Sequence, residues 1–379
     1  MTAPTLAAPL LDAYARADVT FLEGNGSSLV AANGERYLDL VGGIAVVALG
    51  HRHPAPRAAA HAQLDKVWHV SNLWWTEPMA TLAVKLSQRF GGARSFFCNS
   101  GTEAVEAALK YARKATGKAG IVALENSFHG RTMGALSATG QPAKRAAFEP
   151  LVPGVAFARA NDRASLAAVV DGDTACILLE PVQGEGGVHP MRPEFVARAR
   201  ELADANGALL VFDEVQCGLG RTGTFFACER LGVRPDALTL AKGLANGLPI
   251  GALLVADDAA DAFVPGDHGS TFGGNPVACA AACAVVDTID DALLADVARK
   301  GMFLAQALER FPSVVEVRGE GLLVGVEIDR AASGAVAECL ERRLLVGTAG
   351  ERTLRLTPPL TISDAELEIA LGILEEVLQ

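Results

Sequence analysis

Short apolar runs alternate with longer, alanine-rich amphipathic stretches through the middle of the chain. The runs are IVAL (121–124), CILLE (176–180), ALLVFDEV (208–215) and DALTLAK (236–242), with helical periodicity between them, as in Glu103–Lys114 and Pro193–Ala205. This switching of period predicts parallel strands joined by crossover helices. The runs are apolar nearly throughout, as a sheet covered on both faces requires. The ends read differently. Asn33-Gly34 is a turn dipeptide between FLEGNGSSLVAA and ERYLDL, VVEVRGEGLLVGVEI predicts antiparallel strands, and Asp364–Leu378 predicts a closing helix. The expected fold class is α/β. A large domain with a mostly parallel central sheet is expected over 51–275, and a smaller α+β domain from both termini, 1–50 and 276–379.

Composition narrows the function. A chain of 379 residues, half of them apolar and a fifth charged, is long enough for two folded domains. The formal charge of −11 comes without a basic patch, which argues against a nucleic-acid partner. Seven cysteines, an odd number with no C-x-x-C, predict reduced thiols rather than a disulfide frame. Cys279 and Cys283 lie one helical turn apart, as metal ligands would. No His or carboxylate nearby completes such a site, so they read as small buried hydrophobes and no metal is expected. The start, MTAPTLAAPLLDAYARADVT, lacks a basic region, and no apolar stretch approaches bilayer length. The expectation is a cytoplasmic protein without a membrane span.

Five stretches carry candidate chemistry. In FFCNSGTEAVEAALK, Ser100 and Glu103 are spaced as a capping box, so Gly101 and Thr102 open a helix whose free amides suit a phosphate. In ALLVFDEVQCG, Asp213 falls at the end of a buried strand, where a carboxylate needs a cation or good donors. Strand alternation predicts Asp213 and Val215 on one face, with Glu214 and Gln216 on the other. A carboxylate beside an apolar residue suits a flat heteroaromatic ring with one basic nitrogen. In LTLAKGLANGLPIGA, Lys242 ends an otherwise uncharged strand. Burial there would free its amine for imine chemistry. ENSFHGRTMG offers Phe128 as a stacking ring and Arg131 as a planar fork for a carboxylate, while His129 reads as orienting a neighbour. HGSTFGGNP presents the hydroxyls of Ser270 and Thr271. Glu185 and Arg355 could pair. Gly218–Gly223 matches G-x-G-x-x-G, but the following TFFACERLGV lacks the helix and acidic residue of a dinucleotide fold, so a nicotinamide-dependent dehydrogenase is the remote alternative.

These blocks, from YLDLVGGIAVVALGHRHP through NSGTEAVEAALK, SFHGRT, EPVQGEGG, LVFDEVQCGLGRTG and AKGLANGLPIGA to STFGGNP and RLTPPLTI, run in the order of one family. The sequence resembles the class III (ω-amino) aminotransferases of the fold-type I pyridoxal-phosphate enzymes. The chain's length and the absence of a leader point to their acetylornithine branch. The resemblance implies a homodimer with shared active sites and pyridoxal 5′-phosphate carried as an imine on Lys242, which also moves the proton. Asp213 would hold the ring nitrogen, Val215 would pack behind the ring, and Gln216 would lie near its hydroxyl. Phe128 would stack on the ring, Gly101 and Thr102 would seat the phosphate, and Thr271 would reach the phosphate of the other subunit. Arg131 and Ser270 would hold the substrate, and Glu185 would mask Arg355 until a 2-oxo acid arrives. The implied reaction moves the δ-amine of N2-acetyl-L-ornithine to 2-oxoglutarate, with succinyldiaminopimelate, ornithine and 4-aminobutyrate as rival donors. Val47 and Trp74-Trp75 depart from the family pattern near the expected substrate entrance.

Overall fold

The computed structural model describes residues 9–379; residues 1–8 of the expected N-terminal segment lie outside the described residues. Seven strands form the central sheet in the order Ala93–Cys98, Gly251–Ala256, Ala237–Leu240, Leu209–Asp213, Thr174–Leu179, Gly120–Leu124, Val155–Ala158. Gly251–Ala256 pairs antiparallel with both its neighbours, and every other pairing is parallel. The apolar runs are buried on both faces for the reason the pattern suggests. Leu210 and Phe212 join Ile177, Leu179, Val122 and Leu124 in one core, while Val211 joins Leu178, Ile121 and Ala123 in another. Successive residues of each strand thus serve opposite layers. Ala278, Cys279, Ala281, Ala282, Val285 and Val286 of the helix Pro276–Thr288 pack into the first of these cores.

A further core gathers Leu40 and Ala48 from the N-terminal part with residues from Val297 to Leu378. The chain ends are tied by hydrogen bonding as well, because Leu344–Leu345 adds as a parallel strand beside Arg36–Asp39. The Asn33-Gly34 turn joins the antiparallel strands Ser28–Ala31 and Arg36–Asp39. Phe21–Asn25 forms a second hairpin with the former across Gly26, at φ 56. Val314–Glu320 and Leu323–Ile328 form the expected antiparallel pair. The closing helix, Asp364–Val377, begins at a reciprocal cap between Ser363 and Glu366.

Parallel strands deliver their C-terminal loops to one edge of the sheet. Gly101–Thr116 starts there, directly after the strand Ala93–Cys98. The strands ending at Leu124, Leu179, Asp213 and Leu240 feed the loops that carry Phe128, Glu180, Val215 and Lys242.

Candidate active site

Those loops enclose a cavity of about 380 Å³. Gly101, Thr102, Phe128, Arg131, Asp213, Val215, Gln216 and Lys242 all line it. Lys242 comes not from the strand but from a short 3-10 turn, Lys242–Ala245, that follows it. Its φ of 26 is left-handed, a conformation that a non-glycine residue holds only when its surroundings enforce it. Burial, aided by Arg355 and opposed by Glu185 and Asp213, brings its amine down to about 8.

Asp213 is buried and held by three partners. Its Oδ2 lies 2.7 Å from Nδ1 of buried His129. Its Oδ1 accepts from the Val215 amide at 3.0 Å and from the Thr239 hydroxyl at 3.1 Å. His129 therefore orients the carboxylate, as a neighbour-orienting residue should, and its Nε2 is buried without a partner.

The expected alternation beyond Asp213 holds only in part. Glu214 points away and accepts from the amides of Ala227 and Cys228 at 2.7 and 2.8 Å. Gln216, expected on the same side, instead lines the cavity with Asp213 and Val215. The strand stops at Asp213, where the Val215 amide folds back onto the Asp213 carboxylate, and the period of two ends with it.

At the helix start beside Val215, Ser100 Oγ accepts from the Glu103 amide and donates to its carboxylate at 2.8 Å. The amides of Gly101 and Thr102 are left without intrahelical acceptors at the positive end of the helix dipole. A Cβ on Gly101 would sit 2.6 Å from Val215 Cγ1, so only glycine lets the backbone approach this closely. Thr102 is fixed by Thr132 at 2.8 Å, and Thr132 by Glu106 at 2.6 Å.

Glu185 and Arg355 do pair. Arg355 is buried and donates to the Glu185 carboxylate and, at 3.0 Å, to Gln216 Oε1. Burial works against the Glu185 charge, but the guanidinium outweighs it and holds the carboxyl below its ordinary range. The pair thus reaches the cavity through Gln216. Ser270 reaches it through Asn99, whose side-chain amide donates to its hydroxyl at 3.1 Å. Thr271 is exposed and does not line this cavity.

Two participants went unread in the sequence. Glu180 lines the cavity, accepts from the amides of Phe128 and Gly184 at 3.0 and 3.2 Å, and is pushed up to about 7 by burial. The signal was present, since CILLE ends in an acid at a strand end as ALLVFDEV does. Lys144 places its Nζ 4.8 Å from the centre of the Phe128 ring, with Arg131 at 5.4 Å. Gly218–Gly223 shows no dinucleotide geometry. It leads into turns and a short 3-10 segment, Ala227–Leu231, and its Arg221 is buried.

A half-buried amine, a donor-held carboxylate, a ring face and a free helix N-terminus form one donor set around one cavity. Such a set suits a flat, phosphorylated aldehyde with a basic ring nitrogen. The sequence profile of the family Aminotransferase class-III matches residues 13–378. The chain belongs to the class III aminotransferases. Acetylornithine aminotransferase of Corynebacterium efficiens is 48% identical over 97% of this chain and 94% of its own. Among solved structures, the ornithine aminotransferase of Toxoplasma gondii, which holds PLP at its active site in partial occupancy, superposes with a TM-score of 0.93 at 32% identity, covering 98% of this chain and 92% of that one. N-acetylornithine aminotransferase of Stenotrophomonas maltophilia gives 0.83 at 36% identity, covering 95% of each chain. Among the residues that line this cavity, the only lysine is Lys242.

Proposed function

We propose that this aminotransferase moves the δ-amino group of N2-acetyl-L-ornithine to 2-oxoglutarate in two half-reactions, with pyridoxal 5′-phosphate as cofactor. The substrate choice rests on the near-half identity with an acetylornithine aminotransferase along almost the whole chain. When bound, the cofactor supplies an aldehyde that captures amines and a ring that takes up electron density.

The chain's own groups do the rest. Lys242 offers an amine whose lowered affinity for protons suits it to act as a nucleophile near neutral pH and, when free, as the base that would take a proton from the substrate. Asp213, held by His129, Thr239 and the Val215 amide, presents fixed negative charge to the ring nitrogen. The Gly101 and Thr102 amides would receive its phosphate, Phe128 and Val215 would hold its ring between them, and Gln216 would offer the ring a polar contact. Arg131 and Ser270 bind the carboxylate end of the acylated donor. While that donor reacts, Glu185 keeps Arg355 occupied. The pair opens when 2-oxoglutarate brings a carboxylate that competes for the guanidinium.

Thr271 belongs to the phosphate seat of a second copy, in a homodimer with shared active sites. Its loop adjoins an apolar surface formed by Leu73, Trp74, Trp75 and Phe272, all more than half exposed. The Asn72 side chain ties that segment to the backbone of Ser270 and Gly273 at 3.0 and 2.9 Å. Trp74 and Trp75 follow directly on this tie, beside the loop that carries Ser270. No described helix is long and apolar enough to cross a membrane, and we place the enzyme in the cytoplasm.

The test is spectroscopic. Acetylornithine alone should bleach the imine absorbance of the purified holoenzyme, and 2-oxoglutarate should restore it. No bleaching by acetylornithine, with bleaching by ornithine, succinyldiaminopimelate or 4-aminobutyrate, would replace the donor while keeping the chemistry.

A further inference from the structure

Arg221 sits in the Gly218–Gly223 turn, is 2% exposed, and has no carboxylate within ion-pair distance among the described residues. Its Nη1 donates to two backbone carbonyls, Leu322 at 3.0 Å and Pro358 at 2.5 Å, and its Nη2 is buried without a partner. The Leu322 amide returns a bond to the Arg221 carbonyl at 2.9 Å. A buried guanidinium spent on carbonyls is costly, because a carbonyl offsets less of the lost hydration than a carboxylate does. The expense falls at a telling place. Pro358 lies just beyond the strand Thr353–Leu356 that carries Arg355. Gln216, on the same loop as Arg221, accepts from Arg355 itself. One loop therefore grips the Arg355 segment twice. On its other side, the Thr357 amide and hydroxyl bond the carbonyls of Leu40 and Val41 at 2.7 and 2.8 Å.

We infer that Arg221 is a positioning residue for the second half-reaction: by holding Leu322 and Pro358 it sets where Arg355 stands relative to Gln216 and Glu185, and so how the enzyme receives a dicarboxylate. This rests on the proposed role of Arg355. Removing the clamp lets the segment drift from the cavity wall, which weakens dicarboxylate binding but leaves the acylated amine, held elsewhere, little affected.

The two half-reactions of holoenzyme separate the effects. For Arg221→Gln, the concentration of 2-oxoglutarate giving half-maximal recovery of absorbance should rise about tenfold or more, while bleaching by acetylornithine changes less than about threefold. Arg221→Lys, which keeps a donor toward one carbonyl, should fall between. In an Arg355→Leu background, Arg221→Lys should add almost nothing, since coupled residues are not additive. Equal losses in both half-reactions, an unchanged dicarboxylate step in folded variants, or full additivity with Arg355→Leu would overturn the inference. So would failure of both Arg221 variants to fold, which would make its role structural alone. If the wild type shows neither half-reaction, the functional proposal falls instead.

Discussion

Replacing Lys242 by Met in the cofactor-free protein removes a charge that the fold holds at a disadvantage. Burial brings the Lys242 amine to about 8, against an ordinary lysine value near 10.5, and a gap of that size corresponds to about 3 kcal/mol. Below pH 8 the amine is protonated in folded and unfolded chains alike, and the folded state carries the whole cost. Between about pH 8 and 10.5 the folded chain has released the proton and the unfolded chain has not, so wild-type stability climbs with pH through this window. The Met variant has no such group. Its advantage over wild type should therefore be larger at pH 7 than at pH 10.5 by up to about 3 kcal/mol, an upper limit because the Lys242 residue is only half-buried. Urea unfolding of the two cofactor-free proteins across this range measures it. A variant-minus-wild-type difference that stays constant from pH 7 to 10.5 would refute the reasoning, because it would mean the amine titrates alike in both states.

Asp213→Asn keeps the shape but removes the charge facing the ring nitrogen. An attraction of roughly 4 kcal/mol at about 4 Å and an effective dielectric near 20 predicts a loss of about 10³-fold in single-turnover bleaching by the amine donor, and a loss below tenfold would contradict it. Gly101→Ala places a methyl 2.6 Å from Val215 Cγ1; cofactor affinity should fall at least tenfold in equilibrium dialysis, and the cofactor-free protein, which carries the same clash, should melt lower. Glu185→Gln leaves Arg355 without its carboxylate partner, so the ratio of acetylornithine to glutamate reactivity should drop severalfold. A preserved ratio would show that the pair does not discriminate. Borohydride reduction followed by peptide mass spectrometry should find the cofactor on the Lys242 peptide alone.

Much of this was legible in the sequence because it depends on short-range chemistry. The unbroken apolar runs such as ALLVFDEV and the cap at Ser100–Glu103 act through adjacent residues, and the Gly-rich turns at strand ends act within a few positions. The sheet, the helix at Gly101 and the strand-end placement of Asp213 follow from them. The pairing of Glu185 with Arg355 and the orienting role of His129 were also within reach, since each joins complementary groups carried by separate motifs. Glu180 shows a signal passed over, being an acid at a strand end overshadowed by the more conspicuous Glu185 five residues on.

Other features could not be read from the chain, because they depend on which distant segments meet. Gln216 faces the cavity only because the strand ends at Asp213 and the backbone turns there, an event fixed by a carboxylate accepting its own neighbour's amide. The alanine-rich helix Pro276–Thr288 is apolar on nearly every side, so periodicity assigns it no partner, and packing against the central core does. For Gly218–Gly223 the following TFFACERLGV already argued against a dinucleotide loop, but no local pattern shows Arg221 reaching the carbonyls of Leu322 and Pro358, more than a hundred residues away. Local sequence set the elements and the reactive groups. Tertiary structure alone decided which carbonyl, carboxylate or ring each group would face, because that choice is made by whole layers packing together.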